Sequence, residues 1–171
     1  MASALKNLSE YNEASIPDAS SFQFGIVVSD WNAEITHALY EACFDTLIKH
    51  GAQAEKIYTL QVPGSFELTA GAQIINQQKS LDAVICLGCV IKGETTHNEY
   101  INQSVAMGLT NLGLATGRPH IFGLLTPNTH QQALDRAGGK HGNKGVEAAV
   151  TAIRMAALRQ QGKAVKKPIG F

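Results

Sequence analysis

The segment Lys92–His97, which reads KGETTH, carries the pattern in this chain that is easiest to connect with chemistry. It follows a long apolar run and precedes a helical pattern, so free backbone N–H groups at the positive end of a helix dipole would face a ligand there. Gly93 allows close approach to the backbone, and the hydroxyls of Thr95 and Thr96 add donors. The pattern is typical of an anion site, most often one for phosphate. An ordinary helix cap formed by one of the two threonines is the alternative.

His97 lies in the first turn of this predicted helix, beside the proposed anion. Imidazole has a reference pKa of about 6.5, which suits proton transfer at neutral pH. A bound phosphate favours the protonated ring, whereas the helix amino terminus opposes it. Of the six histidines, His97 is therefore the best placed for acid–base catalysis, with a solvated surface residue as the plain alternative.

Two further loops place ligand-binding groups next to a predicted helix start. In Pro63–Glu67 (PGSFE), Ser65 can cap the helix that follows. Alternatively, the free N–H groups and Glu67 could hydrogen-bond a polyol or a polar heterocycle. Trp31, the only tryptophan, follows the first apolar run. Core packing is its usual role, but at a ligand edge its ring would stack on a flat heterocycle.

A group of cations interrupts the last helical pattern. Arg136 precedes Gly138–Gly145 (GGKHGNKG), which places lysines beside flexible backbone. Arginine suits bidentate contact with phosphate, and lysine supplies a point charge. A helix break with solvated charges is the alternative.

Cys86 and Cys89 form a C-x-x-C motif that could indicate a redox or zinc site. Residues three apart in an extended strand, however, point to opposite faces of the sheet. No second Cys/His pair completes a zinc site. We interpret both cysteines as core residues and expect no metal.

The apolar periodicities predict alternating strands and helices. Strands are predicted at 22–29, 56–62, 82–91 and 120–125, and helices at 32–50, 65–78, 97–115, 129–137 and 143–161. This alternation predicts an α/β fold with a parallel four-stranded sheet and helices on both faces. Because ligands bind beyond the carboxyl ends of parallel strands, the loops at 30–32, 63–65, 92–97 and 126–129 should share one edge.

Length and charge narrow the class of protein. The 171 residues predict one domain at 22–162, an N-terminal arm at 1–21 and a basic C-terminal tail at 163–171. Fourteen basic residues balance fourteen acidic ones, which argues against a nucleic-acid partner and favours self-association. We interpret the tail as a helix end or a subunit contact, with weak RNA contact as the less favoured alternative.

The sequence pattern predicts neither a membrane span nor a signal peptide. No apolar run approaches the roughly 20 residues of a membrane span, and residues 1–21 lack the layout of a signal peptide. Three cysteines are too few for a disulfide framework. We therefore expect a cytoplasmic protein with no membrane contact.

Five segments in this order resemble the lumazine synthase family: GIVVSDWN, VPGSFEL, AVICLGCVIKGETTHNEY, IFGLLT and ALDRAGGKHGNKG. The resemblance extends from about Phe24 to Leu158, and the ordered combination is specific. It implies a flavodoxin-like three-layer αβα sandwich and a transferase of riboflavin biosynthesis. That enzyme condenses 5-amino-6-(D-ribitylamino)uracil with 3,4-dihydroxy-2-butanone 4-phosphate. The products are 6,7-dimethyl-8-ribityllumazine, phosphate and water, and the family uses no cofactor.

The resemblance also implies a role for each candidate residue. His97 would handle protons, Trp31 would stack on the pyrimidine, and Glu94 would act chiefly through its backbone. The PGSFE segment would meet the ribityl chain. By position, the implied substrate-binding residues are Trp31, Asn32, Ser65, Phe66, Glu67, Cys89, Val90, Ile91, Phe122 and Lys144, and the phosphate-binding residues are Glu94, Thr95 and Arg136.

In this family the pocket lies between adjacent subunits of a homopentamer, where Phe122 and Lys144 complete it. The absence of an insertion in RAGGKHGNKG is compatible with an icosahedral shell of sixty subunits, and riboflavin synthase is the candidate protein partner. The chain departs from the commoner pattern at Trp31 (usually Phe), Lys92 (often Arg) and Asn98 (often aromatic). The rival interpretations are a non-catalytic flavin- or lumazine-binding module and a structural shell with a vestigial pocket.

Overall fold

The computed structural model describes residues 7–164 of the chain. Its main sheet contains four parallel strands in the order β2-β1-β3-β4. The strands are β1 (Phe24–Ser29), β2 (Ile57–Val62), β3 (Ala83–Cys89) and β4 (His120–Leu125). The predicted parallel four-stranded sheet is thus confirmed, and its order is that of flavodoxin-like folds.

Within residues 7–164, five α-helices connect and cover these strands. They are α1 (Ala33–Lys49), α2 (Leu68–Gln78), α3 (His97–Thr116), α4 (His130–Leu134) and α5 (Lys144–Ala164). Helices α1 and α5 pack on one face of the sheet, and α2 and α3 pack on the other. The three-layer αβα sandwich predicted from the sequence is therefore confirmed.

Alternation along the strands divides the core between the two helical layers. In β1, Ile26 and Val28 belong to the α1/α5 side, and Val27 belongs to the α2/α3 side. All seven residues of β3 are buried, as expected of a central parallel strand with helices on both faces. Cys86 and Cys89 are buried on opposite sides of the sheet, which confirms that both are core residues.

Two local predictions were wrong. The second helix begins at Leu68 instead of Ser65, because Ser65–Glu67 form a 3₁₀ turn first. The break at Gly138–Gly139 is an antiparallel hairpin of β5 (Ala137–Gly139) and β6 (Gly142–Asn143). Helical periodicity gives no signal for so short a hairpin.

The described part of the N-terminal arm, residues 7–21, docks on the domain. Tyr11 Oη lies 3.0 Å from His50 Nε2, and Arg154 of α5 donates to Ser15 Oγ at 2.9 Å. Ala19 is fully buried in the α1/α5 core. Residues 165–171, most of the predicted basic tail, lie outside the described residues.

A bilayer-spanning helix would have to be both long and strongly apolar. None of the helices formed by residues 7–164 meets that requirement.

Candidate functional site

The cleft at the carboxyl edge of the sheet is built by the strand order. From β1 the chain turns to β2 on one side, whereas β3 leads to β4 on the other, so the edge between β1 and β3 is a topological switch point. A cavity of about 520 Å³ opens there. Its lining includes ten of the sequence-predicted site residues: Trp31, Asn32, Ser65, Phe66, Glu67, Cys89, Val90, Ile91, Thr95 and His97.

The loop after β1 forms one wall of this cleft. Asn32 adopts the left-handed conformation, with φ 62°, which asparagine tolerates better than most residues. Its Nδ2 donates to the Cys89 carbonyl at 3.0 Å and so ties the loop to the end of β3. Trp31 stays 72% exposed at the cleft. Its ring is therefore not packed in the core of this chain, and one face can receive a flat ligand.

The 3₁₀ turn after β2 forms the neighbouring part of the wall, since the Trp31 N–H donates to the Pro63 carbonyl at 3.1 Å. Ser65 is buried, and its hydroxyl lies 3.4 Å from Ser29 Oγ instead of capping α2. A Cβ at Gly88 would lie 2.7 Å from Ser65 Oγ, so glycine in β3 makes room for this contact. The neighbouring Phe66 is 57% exposed. The predicted capping role of Ser65 is wrong, whereas its placement on the cleft agrees with a binding role.

The KGETTH segment leads from β3 into α3 along the third side. Thr95, rather than Thr96, makes the side-chain cap, because its Oγ1 accepts from the His97 N–H at 3.4 Å. A Cβ at Gly93 would meet nothing within 4 Å. The fold of the single chain therefore does not require glycine there, and the open space leaves the backbone accessible. His97 is exposed on the cleft at the start of α3.

The predicted cations do not reach this cleft within one chain. No lysine or arginine is found among the residues that line it in the described structure. Arg136 follows α4, and its Nη1 donates to the Gln132 carbonyl at 3.1 Å. Lys144 begins α5, with its Nζ 2.7 Å from Glu147 Oε1. Lys144 and Phe122 line a second groove of about 600 Å³.

Glu94 is exposed and is not among the residues that line the first cleft. Because water and salt screen an exposed carboxylate, Glu94 repels an anion bound in the cleft only weakly. This placement is compatible with the expectation that Glu94 acts through its backbone.

Four residues that line the cleft were absent from the predicted set of site residues: Gly64, Gly93, Asn98 and Ile101. Ile101 lies four residues after His97, on the same helical face, so helical spacing could have indicated it. The buried Oδ1 of Asn98 has no hydrogen-bond partner in the described structure. An unpaired buried acceptor is uncommon in folded proteins, and only the packing reveals it.

The thiol of Cys89, the cysteine that lines the cleft, is not suited to act as a nucleophile. Burial raises the pKa of the Cys89 thiol to about 11, so it is a thiol near neutral pH, whereas nucleophilic attack needs the thiolate. Burial also raises the pKa of Cys86 well above its usual range. The observed polar contribution of Cys89 to this edge is the carbonyl that accepts from Asn32. The arrangement as a whole offers a stacking ring, an imidazole and a helix start around one cavity.

Comparison with known proteins gives the family of this chain. The family model described as 6,7-dimethyl-8-ribityllumazine synthase matches residues 21–160. The chain is 56% identical over 155 residues to the 6,7-dimethyl-8-ribityllumazine synthase of Parabacteroides distasonis, covering 91% of this chain and 97% of that protein. It is 54% identical over 157 residues to the protein of the same name from Cytophaga hutchinsonii, with 92% and 98% covered.

The chain belongs to the 6,7-dimethyl-8-ribityllumazine synthase family. The matched range holds all four strands of the main sheet, the first cleft, and the hairpin between Arg136 and Lys144. The predicted family is confirmed. The roles of individual residues within the lumazine synthase framework stay predictions.

Proposed function

We propose that this chain is a transferase that condenses 5-amino-6-(D-ribitylamino)uracil with 3,4-dihydroxy-2-butanone 4-phosphate. The products are 6,7-dimethyl-8-ribityllumazine, phosphate and water, in the penultimate step of riboflavin biosynthesis. Family membership over residues 21–160 supports the reaction. The main structural support for the proposal is that Trp31, the Ser65–Glu67 turn and His97 all line one cleft.

The proposed chemistry needs alignment more than strong activation. The amine of the pyrimidine attacks the ketone carbonyl, and loss of water gives a Schiff base. Phosphate then leaves, and ring closure by the ribityl-bearing nitrogen releases a second water. Trp31, exposed at the cleft, stacks on the pyrimidine, while the Ser65–Glu67 turn binds the ribityl hydroxyls. Holding two reactants in register is a large source of rate enhancement.

His97 moves protons between these steps. It lines the cleft at the amino end of α3, next to the Gly93–Thr95 backbone that we propose as the phosphate cradle. Amine–ketone condensation proceeds in water without strong catalysis. The rate enhancement contributed by His97 therefore lies near or below the low end of the usual ~10²–10⁴-fold range for a general acid–base.

The catalytic unit is proposed to be a homopentamer. A phosphate group binds best to charge-assisted donors, yet the lining of the first cleft includes no lysine or arginine within the described residues. Arg136, Phe122 and Lys144 lie elsewhere in the same chain. A neighbouring copy would bring these three residues to the first cleft, and the balanced net charge of the chain favours such contact.

The proposal also covers the larger assembly of the protein, its protein partner and its location in the cell. The hairpin segment 137–143 is short, which is compatible with a shell of sixty subunits, and riboflavin synthase is the proposed protein partner. Residues 22–162 form the proposed catalytic domain. The three cysteines are free, as expected of a protein in the reducing cytoplasm, where we place it.

The direct test mixes both substrates with the purified protein and follows lumazine fluorescence, with sedimentation to measure size. Turnover by a particle of five subunits or more supports the proposal. A yellow protein that binds flavin without turnover would instead support a binding module. A large shell with no turnover and no ligand would indicate a structural role, and turnover by a monomer would contradict the shared site.

A further inference from the structure

Arg136, proposed to bind phosphate, and Lys144, proposed to complete the substrate pocket, lie at the two ends of one short hairpin. Arg136 directly precedes β5 and Lys144 directly follows β6. The Lys144 N–H donates to the Arg136 carbonyl at 2.9 Å, which brings the two backbones together. Any displacement of the hairpin therefore moves both cations. A two-residue strand such as β6 has few ladder bonds of its own and is marginal without outside support.

The N-terminal arm supplies support on one side of the hairpin. The Asn143 N–H donates to Ser9 Oγ at 2.9 Å, and the Leu8 N–H donates to the His141 carbonyl at 2.7 Å. Asn7 Oδ1 accepts from the Ser9 N–H at 2.9 Å and so shapes the arm as a turn. These hydrogen bonds connect Asn7–Ser9 with residues more than a hundred positions later in the chain.

The N-terminal arm approaches the backbone of β6 very closely at Gly142. Gly142 has φ 77°, and a Cβ there would overlap Asn7 Oδ1 and lie 2.8 Å from the Ser9 nitrogen. The arm therefore lies directly against the backbone of β6, in space that a side chain would otherwise fill.

Helix α1 holds the same hairpin from another direction. Asn143 is buried, its Nδ2 donates to the Ala38 carbonyl at 3.1 Å, and its Oδ1 accepts from the Gly145 N–H at 2.8 Å. The side chain of Asn143 is thus anchored to the domain, while its backbone N–H is satisfied by the arm. Loss of the arm contact would leave that N–H without its observed acceptor.

We propose that Asn7–Ser9 positions Arg136 and Lys144 for binding the phosphate of the butanone substrate, with Ser9 as the positioning residue. This inference rests on the proposed function. It assigns the arm a part in substrate affinity, acting through the hairpin and without touching the substrate. Since we propose that both cations bind the phosphate, loss of the arm contact should raise the KM for the phosphorylated substrate. The KM for the pyrimidine substrate should not change.

The test compares Ser9→Ala, Ser9→Thr and Ser15→Ala in the full-length assembled protein. Ser9→Ala is expected to raise the KM for butanone phosphate about two- to tenfold, the size of one lost hydrogen bond, with kcat and the pyrimidine KM unchanged. Ser9→Thr keeps the hydroxyl and should stay near wild type. Ser15→Ala is the matched control, because Ser15 is an arm residue whose hydroxyl contacts Arg154 instead of the hairpin.

A separate readout distinguishes failure of this inference from failure of the proposed function. Inorganic phosphate is titrated calorimetrically into each variant, which needs no turnover. Weaker binding in Ser9→Ala alone supports positioning by the arm, even if the wild type does not form lumazine. Equal phosphate binding and equal KM in Ser9→Ala and wild type overturn it, as does an identical loss in Ser15→Ala.

Discussion

The two edges of the same sheet use polar residues in opposite ways. At the amino edge, side chains bond to one another: Asn76 Nδ2 lies 2.7 Å from His120 Nε2, and the Arg118 guanidinium donates to Asn76 Oδ1. Asp82 accepts from the Gln23 N–H at 2.9 Å and pairs with Arg159. These residues link α2, β4 and α5 across the start of the strands.

At the carboxyl edge, the corresponding groups remain available. Trp31 and Phe66 are 72% and 57% exposed, and His97 is exposed at the start of α3. From this difference we expect the amino edge of the sheet to contribute to stability and the carboxyl edge to ligand binding. Substitutions should therefore separate into those that change kinetics and those that change the free energy of unfolding.

The largest effect is expected at the carboxyl edge for Arg136→Ala. Loss of charge-assisted hydrogen bonds to phosphate should raise the KM for butanone phosphate by about ten- to 150-fold. Steady-state kinetics with both substrates varied measure this. Arg154→Ala, at an exposed arginine of α5, is the control. An unchanged KM in the Arg136 variant would refute the phosphate assignment.

His97→Ala comes next and sharpens the comparison between binding and chemistry. Its kcat should fall by no more than about a hundredfold, because alignment supplies most of the acceleration. Both KM values should change little. His130→Ala is the matched control, since His130 is an exposed histidine that does not line the cleft. A wild-type kcat in the His97 variant would remove its proposed role.

Asn76→Ala tests the opposite edge. It removes the contacts to His120 and to the Arg118 guanidinium. Because these groups are only half-buried, each lost hydrogen bond should cost about 0.5–1.5 kcal/mol. Denaturant unfolding of the assembled protein should show this loss while both KM values stay at wild type. Altered kinetics with unchanged stability would break the division between the two edges.

Trp31→Ala should raise the KM for the pyrimidine about two- to tenfold, the worth of one aromatic stack. Since Trp31 is the only tryptophan, binding of a pyrimidine ligand to the wild type should also quench the protein fluorescence. A ligand that binds without quenching would show that the ring does not stack on it.

The smallest effect is the pH dependence of stability at His120. Burial lowers its pKa in the folded protein, so the folded state binds the proton less readily than the unfolded state does. Its contribution is complete above the unfolded pKa of about 6.5 and is lost as the pH falls toward the lowered value. Unfolding of wild type and His120→Gln between about pH 5 and 7 measures this, and the variant should show the weaker dependence. Equal slopes would exclude His120 as the source.

Local pattern was sufficient for the elements that position the site. Short-range periodicity predicted the buried third strand, although at 82–91 instead of the observed Ala83–Cys89. It also predicted the helix start at His97 and the opposed faces of Cys86 and Cys89. Strand–helix alternation then predicted which loops share the carboxyl edge, because parallel strands all end on the same side. The ordered motifs were also sufficient to predict the family.

Only the tertiary structure decided where the remaining groups lie. Three features depend on contacts between residues distant in sequence. They are the 3₁₀ turn at Ser65, the separation of Arg136 and Lys144 from the first cleft, and the packing of Ser9 against β6. Periodicity reports which side of an element is buried, since burial repeats with the geometry of the backbone. It carries no information about which distant segment fills a given space, because that depends on packing of the whole chain.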